Sequence, residues 1–304
     1  MGKLLPRHSV IIITYNQEKL ISRALDSVLC QKEFLFEIIV CDDCSTDHNW
    51  EVIQKYQNRF PDLIKPFRNN QNLGIFGNIE STWSKPTGDI IWYLSGDDEY
   101  CPDLFKNANE LIANNCIDFT SGYFTLYFDW KRVDPNGNIK YYKNNLIEKH
   151  NPISLKLRGL INNRTTGVSR NMIEKFYPVR KDIGIYADGL IDIQTQLFSE
   201  KNYYFPYVGS IYNTQIGIAA KTKRNDHLIS YLSLFTEFQK NLKNISEKDK
   251  YWINFQKSKT KFKLNKNLKN YLYYVFYFIK SLEPKYGLKR IFIEFSLLIY
   301  SPFN

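Results

Sequence analysis

The sequence predicts an α/β fold, a mostly parallel sheet flanked by helices and followed by a C-terminal helical extension. Short apolar runs alternate with amphipathic stretches through residues 10–113, the order that builds crossover units and a parallel sheet covered on both faces. Three of the apolar runs end in polar clusters, which suits a sheet whose strand ends face a ligand. The last third changes character and becomes rich in lysine and aromatic residues.

Each element has its own signal. Residues 10–13 form an apolar run that reads as a buried strand. Ile21, Ala24, Leu25 and Val28 recur at helical spacing, predicting an amphipathic helix of about four turns. Residues 37–41 predict a second strand and 49–59 a second helix; 63–67 and 75–83 repeat the pair, and 89–94 is a fourth strand. Pro102 opens a helix that runs to residue 113. Beyond Asp118, residues 119–133 and 139–142 are rich in Tyr, Phe and Thr and flank Asp134-Pro135-Asn136-Gly137, which predicts an antiparallel hairpin. Residues 143–168 read as an irregular segment suited to substrate contacts, and 188–198 resume a helical pattern through Ile191, Ile193 and Leu197. Leu264, Leu268, Leu272, Val275, Ile279 and Leu282 make a helical stripe, broken by Pro284 and Gly287 before a second apolar segment at 288–300. Both segments fall short of the roughly 20 residues a spanning helix needs, and suit helices that lie in a membrane interface or pack on the main domain.

Composition bounds the remaining choices. With 304 residues, 43% hydrophobic and 24% charged, the chain has ample material for a core. The expected division is a domain over 1–220 and an extension over 221–304. The opening apolar run leads straight into a polar turn, so no secretory leader is expected and the location read is cytoplasmic. Five cysteines, an odd number without framework spacing, fit a reducing compartment. Cys41 and Cys44 form a C-x-x-C with no second pair to complete a zinc site. Of the net charge of +10, residues 251–304 carry ten Lys/Arg against two Asp/Glu, leaving 31 and 29 for everything before. A nearly neutral body with a basic, apolar-striped tail points to peripheral attachment at the inner face of a membrane rather than to nucleic acid. Packing on the domain, or pairing with a second copy as a homodimer, is the other use of such helices.

The polar strand ends carry the chemistry. They are Thr14-Tyr15-Asn16, Asp42-Asp43-Cys44-Ser45-Thr46-Asp47 and Ser95-Gly96-Asp97-Asp98. Two adjacent carboxylates at the end of a buried strand repel each other and call for a neutralising partner. Hard oxygen ligands there suit Mn²⁺ or Mg²⁺ bridging to nucleotide phosphates. A solvated acidic turn, or an N-cap in the case of Asp47, is the bland alternative for any single cluster. No G-x-G-x-x-G and no P-loop is present, which argues against a dinucleotide oxidoreductase and an NTPase.

Taken in order, Ser9-Val-Ile-Ile-Ile-Thr-Tyr-Asn16, Glu37-Ile-Ile-Val-Cys-Asp-Asp-Cys-Ser-Thr-Asp47, Asn72-Leu-Gly74, Gly88-Asp-Ile-Ile-Trp-Tyr-Leu-Ser-Gly-Asp-Asp98 and, more weakly, Ala187-Asp188-Gly-Leu-Ile191 resemble the inverting family 2 glycosyltransferases. The likeness covers about residues 8–217. It implies the GT-A (Rossmann-like) fold and transfer of a sugar from a nucleotide-sugar, a UDP-sugar by preference, to a glycan or lipid-linked acceptor. By this resemblance Thr14 and Asp43 would contact the uracil with Tyr15 beside it. Asn16, Asp42 and Asn72 would also belong to the donor site. Asp97 would lie near the ribose, Asp98 with Asp97 would hold the metal, and Asp188 would be the general base. Asp192, one turn later, is the rival base. Displacement at an anomeric carbon needs a base and a cation for the departing diphosphate, and no covalent nucleophile.

Three departures matter. Ser95 stands where the family often has Asp, Cys44 where Gly is common, and Tyr212-Asn213-Thr214-Gln215 where many members end the domain with Tyr-Arg-x-His. Gln215 can hydrogen-bond but brings no charge. The rival readings are a nucleotidyltransferase on a similar sheet and a catalytically degenerate, membrane-associated binding protein.

Overall fold

In the computed structural model, residues 5–147, 163–176, 188–214, 223–241 and 245–281 are described. The chain divides into two compact units, one of Met1–Lys149, Asn162–Val179 and Gln194–Ala220, the other of His150–Ile161, Arg180–Ile193 and Lys221–Asn304.

The first unit is built on a sheet. Strands β1 (His8–Thr14), β2 (Leu35–Asp42), β3 (Ile64–Arg68) and β4 (Ile90–Ser95) run parallel in the order β3-β2-β1-β4. Helices α1 (Ile21–Leu29), α2 (Asn49–Arg59) and α3 (Gly74–Thr82) connect them. Ile13 pairs with both Cys41 and Ser95, so three strands end side by side. Val10, Ile12, Ile38, Val40, Ile90 and Trp92 pack with Ile21, Leu25 and Val28 of α1 on one face. Ile11, Ile39 and Ile91 pack with Ile173 on the other. Burial on both faces is why these strands read as unbroken apolar runs. Helix α1 has nine residues, or two and a half turns where the sequence predicts four. A 3-10 turn at Lys32–Phe34 cuts it short and redirects the chain into β2.

The second half of the sheet adds antiparallel pairs. It comprises β5 (Glu99–Tyr100), β6 (Phe124–Val133), β7 (Ile139–Tyr142), β8 (Thr166–Ser169) and β9 (Lys201–Asn213), with helices α4 (Leu104–Asn114), α5 (Arg170–Ile173) and α6 (Asp188–Phe198) between them in sequence, residues 188–193 of α6 belonging to the second unit. Strand β8 pairs antiparallel with β4 and β6, and β9 lies parallel to β6 and antiparallel to β5. The predicted hairpin is β6–β7, with Val133 opposite Ile139. Its turn closes through Gly137 N–H to the Asp134 carbonyl at 2.9 Å, with Gly137 at φ 81°. Three strands escape the sequence reading, the two-residue β5 among them. Strand β8 has four residues, three of them inside the segment read as irregular. Strand β9 contains Pro206, which cannot donate to a ladder and hides a strand pattern. The pairing absorbs it by moving from Phe128↔Phe205 to Asp129↔Val208, a bulge across residues 206–207.

The second unit is helical in its described residues. Helices α7 (Arg224–Asn241), α8 (Glu247–Leu264) and α9 (Leu268–Ser281) pack in sequence, α8 against both neighbours. Ser246 caps α8 by accepting the Asp249 N–H at 3.1 Å. The predicted single stripe from Leu264 onward is divided: Leu264 ends α8, and a break at 265–267 precedes α9. The face of α9 that packs is aromatic, with Tyr274 and Phe278 against Phe255 at 5.5 and 5.4 Å between ring centroids. Leu272 and Ile279 point outward at 57% exposure, with Tyr273 at 50% and Phe276 at 49%. Leu282 and the segment 288–300 lie outside the described residues. Among the described residues no helix is long and apolar enough to cross a membrane.

Candidate functional site

The candidate site is the edge of the first unit where β1, β2 and β4 end. Parallel pairing sets it: Thr14 lies opposite Asp42, and Ile13 opposite Ser95. The backbone continues the match past the strands, with Asp43 N–H on the Thr14 carbonyl at 3.0 Å and Gly96 N–H on that of Ile13 at 2.9 Å. A Cβ on Gly96 would meet Thr14 Oγ1 at 3.0 Å and Gln17 Oε1 at 2.5 Å, so glycine is what lets the two turns close on each other.

Most of the residues singled out from the sequence gather here. Thr14 is buried, its hydroxyl 2.8 Å from Gln17 Oε1 and 3.2 Å from Asn49 Oδ1. Tyr15 beside it is 39% exposed. Asn16, at φ 52°, ties the first turn to the second: its N–H donates to Ser45 Oγ at 2.9 Å and its Oδ1 accepts the Thr46 N–H at 2.8 Å. Asp42 is fully buried, accepting from Ser45 N–H at 2.9 Å and Asn49 Nδ2 at 2.7 Å, with Arg68 Nε at 3.3 Å. Both its oxygens are engaged, so it organises the turn from beneath. Asp43 accepts from Asn69 Nδ2 at 2.8 Å and Leu73 N–H at 2.9 Å, both on Oδ1. It thereby holds the loop in which exposed Asn72 accepts the Gly74 N–H at 2.8 Å. Asp47 accepts the N–H groups of Asn49 and Glu18, each at 3.0 Å, but it is not the N-cap of α2, a position held by His48.

The carboxylate pair lies at the end of β4. Asp97 and Asp98 are buried, at 7% and 8% exposure. Ser95 Oγ donates to Asp97 Oδ1 at 2.5 Å. Asp98 Oδ1 accepts the Asn213 N–H at 3.0 Å, and its Oδ2 is 3.7 Å from Arg164 Nη1. Burial first, then the charge of Asp97, push the Asp98 carboxyl up to about 7, against the opposing pull of Arg164. The Asp97 carbonyl is pinned by Arg23 Nη2 at 2.9 Å and Asn213 Nδ2 at 3.0 Å, and Glu99 pairs with Arg23 at 2.8 Å. The turn that presents the pair is therefore rigid.

Two buried carboxylates with incomplete compensation are a donor set that favours a hard cation. Among the described residues no group of three His, Cys, Asp or Glu could hold a metal unaided. Mg²⁺ and similar ions are commonly bound through one or two carboxylates plus substrate phosphates, and Asp98 with Asp97 fits that mode. Cys41 is buried, and that burial pushes its thiol up to about 12. Asp188 is the first residue of α6, and Asp192 follows one turn later. Gln215 lies outside the described residues.

Sequence reasoning missed Asn213, Arg23 and Arg164. Asn213 stands in the tetrapeptide already compared with the family, but its backbone N–H and its side-chain amide both act on a turn that is distant in sequence. Arg164 lies in the segment marked for substrate contacts, and only the β4–β8–β6 pairing brings it to Asp98.

Comparison with known proteins accords with this geometry. Residues 9–173 match the profile of Glycosyl transferase family 2. A protein of Nostoc sp. described as an uncharacterized glycosyltransferase is 41% identical over 110 residues, 36% of this chain and 34% of the relative. The chain thus spans about a third of that relative's length. The GalNAc(5)-diNAcBac-PP-undecaprenol beta-1,3-glucosyltransferase of Campylobacter jejuni is 27% identical over 259 residues, 81% of this chain and 78% of the relative. Among solved structures, S. aureus TarS residues 1–349 in complex with UDP-GlcNAc superposes with a TM-score of 0.61 at 17% identity, covering 92% of this chain and 82% of that one. The mannosyltransferase PcManGT from Pyrobaculum calidifontis, in complex with GDP-Man and Mn²⁺, gives 0.56 at 16% identity over 97% and 86%. With the fold shared and more than half of its length matching the family profile, the chain belongs to Glycosyl transferase family 2 and has the GT-A fold.

Proposed function

We propose that the protein is an inverting glycosyltransferase that moves one sugar from a UDP-sugar to a hydroxyl of a lipid-linked or cell-surface glycan precursor. The observation that carries the reading is the buried Asp97–Asp98 pair at the carboxyl edge of β4, beside the polar ends of β1 and β2, in a chain of family 2. A UDP-GlcNAc complex of one structural neighbour supports the donor class, and the undecaprenol-linked substrate in the name of the Campylobacter jejuni relative supports the acceptor class.

In this reading Thr14, Tyr15 and Asp43 receive the nucleobase, and Asp97 approaches the ribose. Asp98, with Asp97, would hold Mn²⁺ or Mg²⁺, which would neutralise charge on the leaving diphosphate. The Mn²⁺ in the PcManGT complex supports that assignment. The acceptor oxygen forms a bond to the anomeric carbon as the bond from that carbon to the β-phosphate oxygen breaks, its electrons leaving with the diphosphate. Asp188 takes the acceptor's proton, with Asp192 the rival.

Turnover of UDP-sugars should require Mn²⁺ or Mg²⁺ and vanish in Asp98→Ala. Asp188→Asn should retain UDP binding while kcat falls by about 10²–10⁴, the range of a lost general base. Full activity of Asp98→Ala in the presence of chelator would sink the metal assignment. Release of pyrophosphate in place of UDP would replace the reading with nucleotidyl transfer.

A further inference from the structure

We propose that Arg164 is the cation that receives the donor diphosphate, in place of the basic residues missing from the end of β9. The inference rests on the donor-site reading above and adds a residue to it.

The end of β9 carries Tyr212, Asn213 and Thr214, none of them charged. A cation reaches the same spot from a different element. Arg164 sits in the 3-10 turn Asn163–Thr165 that leads into β8. Its Nη1 lies 3.7 Å from Asp98 Oδ2, and its guanidinium covers the Tyr212 ring at 3.5 Å from the centroid, with Trp130 at 5.4 Å. Trp130 is itself stacked on Tyr142, with centroids 4.0 Å apart and planes 5° from parallel.

The backbone beneath is fixed as well. Thr165 Oγ1 hydrogen-bonds Ser210 Oγ of β9. A Cβ on Gly209 would strike Thr165 Cγ2 at 2.5 Å, so the turn is pressed against β9. The guanidinium lies against two aromatic rings, and a planar guanidinium is the group that grips phosphate oxygens in pairs.

The 3.7 Å approach to Asp98 is longer than a hydrogen bond, so it is a charge contact that other charges can outweigh. A divalent ion on Asp98 repels the guanidinium, and the two phosphates attract it. Arg164 thus balances the buried carboxylates before the donor arrives and the diphosphate afterwards. The cation stands on the turn before β8, and the Tyr212–Gln215 tetrapeptide contributes the Tyr212 ring it lies against.

The test compares wild type, Arg164→Gln and Arg164→Lys as full chains, measuring UDP and uridine binding by calorimetry in Mn²⁺, and Mn²⁺ binding by electron paramagnetic resonance. Arg164→Gln should weaken UDP about 10- to 100-fold, the size of a lost charge-assisted hydrogen bond. It should leave uridine unchanged and tighten Mn²⁺ in the absence of nucleotide. Arg164→Lys should recover part of the UDP affinity. Equal UDP affinity in wild type and Arg164→Gln, or parallel losses for UDP and uridine, would overturn the assignment while leaving the donor site intact. Failure of wild type to bind UDP with Mn²⁺ would overturn the donor-site reading and this inference with it.

Discussion

His8 is fully buried at the start of β1 and held at both ring nitrogens. Trp92 Nε1–H donates to Nδ1 at 3.0 Å, and Nε2 meets Asn109 Oδ1 at 2.9 Å. An acceptor at Nδ1 and a donor at Nε2 define the neutral tautomer, and burial pushes the ring pKa down to about 4, against Asn109 and the charge of Asp89. The unfolded chain takes up that proton near pH 6.5. Between the two values the unfolded state binds more protons, so stability is full above about pH 6.5 and is lost as pH falls toward 4. At pH 5 the loss from this one group is about 2 kcal/mol. Urea denaturation at pH 7.5 and 5 should show that His8→Gln loses about that much less than wild type over the interval. An unchanged pH dependence in the variant would assign the effect elsewhere. Legibility at this scale was uneven: the acidic strand ends Asp43, Asp97 and Asp98 could be picked from sequence because their chemistry is in the side chain. Asn213 and Arg23 could not, because what they do is hold a turn whose shape only the packed chain defines.

At the scale of elements, the repeating strand–helix half was readable because burial on both faces leaves long apolar runs. The inserted half was readable in part, as at the β6–β7 hairpin and at α6. Strand β8 has four residues, too few for a periodic signal, yet it joins the β4 half of the sheet to the β6 half. Its Gly167 lies opposite Trp92, and a Cβ there would meet Trp92 Cζ2 at 2.6 Å. Trp92 is wedged among Tyr100, Phe105 and Phe128 and bonded to His8, so it has little room to move. Gly167→Ala should therefore cost about 1–3 kcal/mol, the range for overpacking a filled core. Chemical denaturation measures it, and an unchanged midpoint would show that the indole yields.

At the scale of the whole molecule, charge is unevenly distributed. Residues 251–281 contain seven lysines and no acidic residue. Helix α9 turns Lys269, Leu272, Tyr273, Phe276, Ile279 and Lys280 outward, an apolar strip ended by cations. Fourteen residues make a helix of about 21 Å, too short to cross a bilayer but suited to lie in its interface. The extension is proposed to bind an anionic membrane surface, which would bring the enzyme to a lipid-linked acceptor. Full-length protein should pellet with phosphatidylglycerol vesicles and release as salt rises. Leu272→Glu combined with Phe276→Glu, both at exposed positions, should abolish pelleting without altering the melting temperature. Pelleting that survives the double substitution would reject α9 as the contact.

From its sequence the chain could be read as an α/β protein with three polar strand ends, a carboxylate pair and a basic helical tail. Those properties follow from local periodicity, turn chemistry and composition, which neighbouring residues carry between them. Strand pairing decided the rest, because contacts between residues far apart in the chain leave no local pattern. It set Asn213 on Asp98, brought Arg164 to the carboxylates from an unrelated turn, and turned Asp42 inward as a support. In the second unit, packing settled which face of α9 is outermost: Tyr274 and Phe278 lie against Phe255, leaving Leu272, Tyr273, Phe276 and Ile279 to solvent.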